Sequence, residues 1–164
     1  MAPPLTTVFG FATNTLSFAY SFNAANDTVA IPLPNDQLMN GVTYAGDACI
    51  INTPGLYRLS YRIALQSPQP RVRSALYRNG AVIPGSISNG MISLAELLRL
   101  AKIIELDLAA GDALALHLTG LEAGSGTLAQ GVGATLALTL LGAAQPPPPA
   151  PASGKSKTET RGVN

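Results

Sequence analysis

The chain has 164 residues, enough for one domain with a core and a short appendage. Only 12% of them are Asp, Glu, Lys or Arg, against about 25% in an ordinary soluble domain, while 47% are apolar. With 10 basic and 9 acidic residues the net charge is +1, and the single Cys49 excludes an intrachain disulfide framework.

So few charges leave two explanations: insertion into a membrane, or surface buried against other subunits. No window of about 18 residues is free of charges and turn signals, as a spanning helix requires. The longest apolar stretch, Met91 to Leu108, carries Glu96, Arg99, Lys102, Glu105 and Asp107. The start, Met1-Ala2-Pro3-Pro4, has neither the basic region nor the apolar run of a secretory signal, so none is expected. Burial in a homo-oligomer is the better account, and membrane insertion is not expected. Lys155, Lys157 and Arg161 against Glu159 put +2 near the C-terminus and leave about −1 on the rest, which does not suit a nucleic-acid-binding surface.

Strand signals dominate from the N-terminus onward. Phe9 and Phe11 alternate with small residues, as do Leu16, Phe18, Tyr20 and Phe22, and Thr28 to Leu33 is a further candidate. Cys49 and Ile51 are expected to point inward, before a turn at Thr53-Pro54-Gly55. The clearest strand follows: Tyr57, Leu59, Tyr61, Ile63 and Leu65 line one face, and Arg58, Ser60, Arg62 and Ala64 the other. Arg73 to Tyr77 leads through Asn79-Gly80, a strong hairpin signal, into Ala81-Val82-Ile83, which Pro84-Gly85 ends.

Leu94 to Ala101 departs from this pattern. Its good helix formers and i, i+3, i+4 apolar spacing predict about two turns of helix. Beyond it, Ile104, Leu106 and Leu108 alternate with Ile103, Glu105 and Asp107. Ala110-Gly111-Asp112 then turns the chain into Leu114, Leu116 and Leu118, and the last strand places Leu136, Leu138 and Leu140 on one face. Roughly eight to ten short strands without helix–strand alternation predict an all-β sandwich or barrel. The domain is expected to span residues 1–142. From 143 to 164 a Pro-rich linker, with QPPPPAPA at Gln145 to Ala152, passes into a polar, disordered tail.

Catalytic motifs are weak. His117 has no cysteine or serine partner in a recognisable motif, and one His with one Cys falls short of a zinc set unless subunits share a metal around a symmetry axis. Asp27, Asp36, Asp47 and Asp112 lie in turn-like surroundings where carboxylates cap local backbone. Gly124-Ser125-Gly126 and Gly131-Val132-Gly133 lack the rest of a dinucleotide loop, and Asn26-Asp27-Thr28 is a bare glycosylation sequon. Neither a catalytic residue nor a cofactor is expected. Arg58, Arg62, Arg71, Arg73 and Arg78 would form a basic stripe for an anionic ligand or sugar acid if their two strands adjoin; solvated faces or intersubunit salt bridges are the alternative. Together with His117, the arginines at 58, 62, 73 and 78 are the candidate ligand or interface residues.

Three segments carry a family resemblance: Thr53 to Tyr61 (TPGLYRLSY), Ala75 to Ser86 (ALYRNGAVIPGS) and Leu108 to Leu116 (LAAGDALAL). With Val42 to Gly46 and the closing Ala134 to Leu141, they resemble the C-terminal domain of bacterial collagen-like exosporium glycoproteins of the BclA type, over roughly Phe9 to Gly142. That family is similar to the jelly rolls of tumour necrosis factor and the complement globular heads. The resemblance implies a sandwich of about ten strands, a homotrimer, no catalysis and a place on a spore surface or extracellular assembly. Two departures stand out: this chain has no Gly-x-y repeat, and Met91 to Leu100 is apolar where small polar residues belong. The expected function is a structural trimerisation domain; the alternative is a saccharide- or receptor-binding module.

Overall fold

The computed structural model describes residues 7–66, 70–90, 97–143 and 149–151. Two antiparallel sheets pack face to face. The first has the order β11 (Leu98–Leu108), β7 (Gly55–Leu65), β14 (Ala134–Gly142), β1 (Phe9–Asn14) and β4 (Asn35–Asn40). The second runs β10 (Ser88–Gly90), β8 (Val72–Arg78), β12 (Ala113–Gly120), β6 (Ala48–Ile51) and β5 (Val42–Ala45). Two short strands join its flanks: β3 (Thr28–Ala30) pairs with β12, and β9 (Ala81–Val82) with β8. A separate ribbon joins β2 (Ala19–Phe22) to β13 (Gly124–Thr127).

Strand alternation decides which side chains meet between the sheets. Tyr57, Leu59, Tyr61 and Ile63 of β7 and Leu136 and Leu138 of β14 form one wall, all buried. Leu114, Leu116 and Leu118 of β12, Val72 and Leu76 of β8, and Cys49 and Ile51 of β6 belong to the same core. Burial pushes the Cys49 thiol up to about 12, so it packs as a small apolar group and is not a nucleophile. Tyr61 ties the layers together. Its hydroxyl lies 2.9 Å from Ser74 Oγ and donates to the Ser86 carbonyl at 2.6 Å. Ser86 Oγ in turn accepts from the Leu76 amide at 2.8 Å.

The Asn79-Gly80 hairpin forms as expected: φ is 51° at Asn79 and 82° at Gly80, the paired positive values that a tight hairpin turn uses. Ile83 does not extend the second strand, because Pro84–Ser86 closes a 3-10 turn directly after it. Short strands that residue pattern alone did not reveal, β4, β10 and β13, bring the number to 14 among the described residues.

The expected helix at Leu94 to Ala101 is corrected over its described part. Leu98 to Ala101 begin β11, which pairs with β7 in unbroken register from Leu98↔Leu65 to Leu108↔Gly55. Residues 94–96 lie outside the described residues. Helix propensity is a weak prior, and eleven paired positions that bury Leu100 and Leu108 outweigh it.

Candidate functional site: the two outward sheet faces

The five arginines of the expected stripe do not share a surface. Arg58 and Arg62 stand on β7 in the five-stranded sheet, whereas Arg73 and Arg78 stand on β8 in the other sheet. The strands adjoin in sequence, but the chain crosses the sandwich between them. Arg58 pairs with Glu105 at 2.7 Å, Arg71 with Glu122 at 3.3 Å, and Arg78 with Asp112 at 2.7 Å. Arg62 and Arg73 form no ion pair among the described residues.

Two carboxylates act as the sequence suggests. Asp27 accepts the amides of Asn23 and Ala24, and Asp112 accepts that of Ala109. Burial alone would raise the Asp112 carboxyl, but the Ala109 amide, Asn79 and Arg78 together hold it below the ordinary value.

His117 lies on β12, facing outward between Ala75 of β8 and Ala30 of β3. Its ring stacks on Tyr77, with centroids 4.2 Å apart and planes inclined by 25°. Nδ1 is buried without a hydrogen-bond partner among the described residues. Desolvation pulls the imidazole below its usual value, opposed by the charge of Asp47, so His117 is neutral at pH 7. Among the described residues, no three His, Cys, Asp or Glu side chains come together to hold a metal ion.

The outward face of the five-stranded sheet carries a feature that sequence did not single out. Residues in direct register point to the same side, so one row runs across all five strands: Leu38, Phe11, Ala137, Ser60 and Ile103. The ends of this row are the two most exposed large hydrophobics among the described residues, Ile103 at 69% and Leu38 at 62%. A flanking row, Asn40, Phe9, Thr139, Arg58 and Glu105, adds a second aromatic ring and one internally paired charge couple. The other, Asn35, Thr13, Thr135, Arg62 and Ala101, holds the unpaired Arg62. Alternation around Phe9, Phe11 and Ile103 is visible in the sequence, but the strand order that aligns them is not. A shallow cavity of about 260 Å³ at the end of β14, lined by Leu56, Asp107, Leu141, Gly142 and Ala143, lacks the converging polar groups of a ligand site.

Two sheets of this order, with an apolar outward row on one of them, define a jelly-roll sandwich of the tumour-necrosis-factor type. Solved structures with this architecture include murine APRIL at pH 5.0, with a TM-score of 0.64 at 12% identity, covering 83% of this chain and 100% of that one. Eiger TNF from S. frugiperda superposes with a TM-score of 0.59 at 17% identity, covering 88% and 98% respectively. The sequence profile of the BclA C-terminal domain matches residues 10–142, and the chain belongs to that family. No curated protein matches the sequence.

Proposed function

We propose that the domain is a non-catalytic trimerisation module of a bacterial surface or spore layer. The observation that carries this reading is the apolar row from Leu38 to Ile103. Both exposed ends lie on edge strands, β4 and β11, so each subunit can bury one edge against the opposite edge of the next. Such a head-to-tail contact closes into a ring when the rotation allows. Burying a side chain of this size contributes roughly 1.5–3 kcal/mol, and each subunit brings two, with Phe9 and Phe11 beside them. The family match and the sparse charge agree with a large buried interface, and the exosporium association of the family points to a spore surface. By composition residues 143–164 are a Pro-rich linker and a polar tail, which would serve as a tether.

Size-exclusion chromatography with light scattering tests the reading. A trimer at micromolar concentration is expected, and Ile103→Asp and Leu38→Asp should each yield folded monomer. A wild-type monomer under the same conditions would overturn it. A saccharide- or receptor-binding role would have to use Arg62 or Arg73 separately, since they occupy opposite sides of the sandwich. Ligand binding unchanged by Arg58→Ala and Arg62→Ala would remove the first of these surfaces.

A further inference from the structure

Asp36 is the only charged residue on β1 and β4, and a bulge sets its position. The ladder steps from Phe11↔Leu38 to Thr13↔Asn35, so Asp36 and Gln37 both stand across from Ala12. Asp36 takes a φ of 46°, in the left-handed region that aspartate tolerates better than most residues. Thr13 Oγ1 donates to its Oδ2 at 3.0 Å. Thr13 belongs to the outward row Asn35, Thr13, Thr135, Arg62 and Ala101, so the exposed carboxylate stands at the β4 end of that row. Asp36 forms no ion pair among the described residues.

Arg62 lies in the same row, one strand in from the opposite edge. Its partner on that edge strand is Ala101, a side chain small enough to leave the guanidinium room to reach past it. Arg62 is exposed and, like Asp36, has no ion pair among the described residues. The other arginine of β7, Arg58, is held by Glu105 at 2.7 Å. Arg99 pairs with Ala64, one row further along, about 7 Å from the row of Arg62.

Rotation keeps every atom at its height along the axis. In a ring whose axis runs parallel to these strands, each row of one subunit therefore meets the same row of the next. Leu38 comes to Ile103, Asn40 to Glu105, and Asp36 to Ala101 and Arg62. No like charges meet in these three rows.

We propose that Asp36 of each subunit forms an ion pair with Arg62 of the next, and that this pair selects which edges join. The inference rests on the trimer proposed above, in which the apolar row supplies most of the attraction. Thr13 occupies Oδ2 of Asp36 and leaves Oδ1 to accept from the guanidinium. Like edges joined about a parallel twofold axis would instead bring Asp36 to Asp36, or Arg62 to Arg62, and repel. The pair therefore favours the head-to-tail contact that closes into a ring.

Sedimentation velocity of the full chain over a dilution series tests the pair, with trimer dissociation as the readout. Asp36→Arg and Arg62→Asp should each raise the dissociation midpoint at least about tenfold. Combining them should bring it back to within about threefold of wild type, an outcome that misfolding or general surface charge does not produce. Asp36→Asn keeps the side-chain shape and the bond from Thr13, and should raise the midpoint severalfold. Should a reversal unfold the subunit, this variant decides: an unchanged midpoint overturns the pair. A trimer indifferent to both reversals, or not restored by the double variant, overturns the pair and leaves the trimer reading standing. Rescue of Asp36→Arg by Arg99→Asp in place of Arg62→Asp also overturns it. Wild-type chain that stays monomeric overturns the trimer and the pair together.

Discussion

At the scale of residues, a few polar groups are tied so closely that each has a measurable consequence. Tyr61 connects β7 to β8 and to the 3-10 turn through its hydroxyl, deep between the sheets. Tyr61→Phe removes the donor to the Ser86 carbonyl and leaves that acceptor dry, which should lower stability by about 1–3 kcal/mol in urea unfolding. Asp112 is held below the ordinary carboxylate value, so the fold favours its ionised form. Its contribution is fully present above the unfolded value of 3.8 and is lost as pH falls through the lower folded value. Asp112→Asn should therefore destabilise at neutral pH and flatten the acid limb of a Tm-against-pH curve. His117 is also depressed, but as a base: the fold favours its neutral form. Stability is unaffected by this group above its unfolded value of 6.5 and falls as pH drops from there toward the folded value. Replacement by Gln should remove that slope, read in the same Tm curves.

At the scale of elements, β11 is the instructive case. Local sequence around Leu94 to Ala101 favours helix, yet the described part from Leu98 onward is an edge strand bound along its full length to β7. Leu100, 1% exposed, shows what the strand gains. Leu100→Ala should cost about 2–5 kcal/mol, because the rigid sheets around it cannot close the space. Ile103, three residues on, faces the opposite way; Ile103→Asp should leave the unfolding free energy of the isolated subunit nearly unchanged while abolishing the proposed trimer. Dividing stability from assembly in this way is a property of strand alternation. Unfolding curves and light scattering on the same two variants separate the effects.

For the whole molecule, the outward face of the five-stranded sheet divides into two parts, with Leu38, Phe9 and Phe11 on its β4 and β1 side and Arg58, Arg62, Arg99, Glu105 and Asp107 around Ile103 on its β7 and β11 side. The row across it is apolar except at Ser60. Salt dependence tests the proposed contact. The proposed trimer contact is centred on Leu38, Phe11 and Ile103 and should persist at high ionic strength. Sedimentation at low and high salt reads that persistence directly.

Much of the architecture was written in local pattern: the inward faces of β7, β12 and β14, the Asn79-Gly80 turn, the β character of the chain and its family. Those features depend on alternation and turn chemistry within a few residues, and neighbours along the chain carry that information. The candidate site was far less legible. Arg58 and Arg73 look like one surface in sequence because only a short connection separates their strands, and the fold sends those strands to opposite sheets. Leu38, Phe11 and Ile103 lie far apart in the chain and look unrelated. They meet on one row only because β4, β1 and β11 enter the same sheet in a register set by burial of their other faces. The sequence by itself determined that the chain forms β-strands with too little charge for a solitary surface. Only the tertiary structure decided which residues form that surface, because strand order and register arise from contacts between segments distant in the chain.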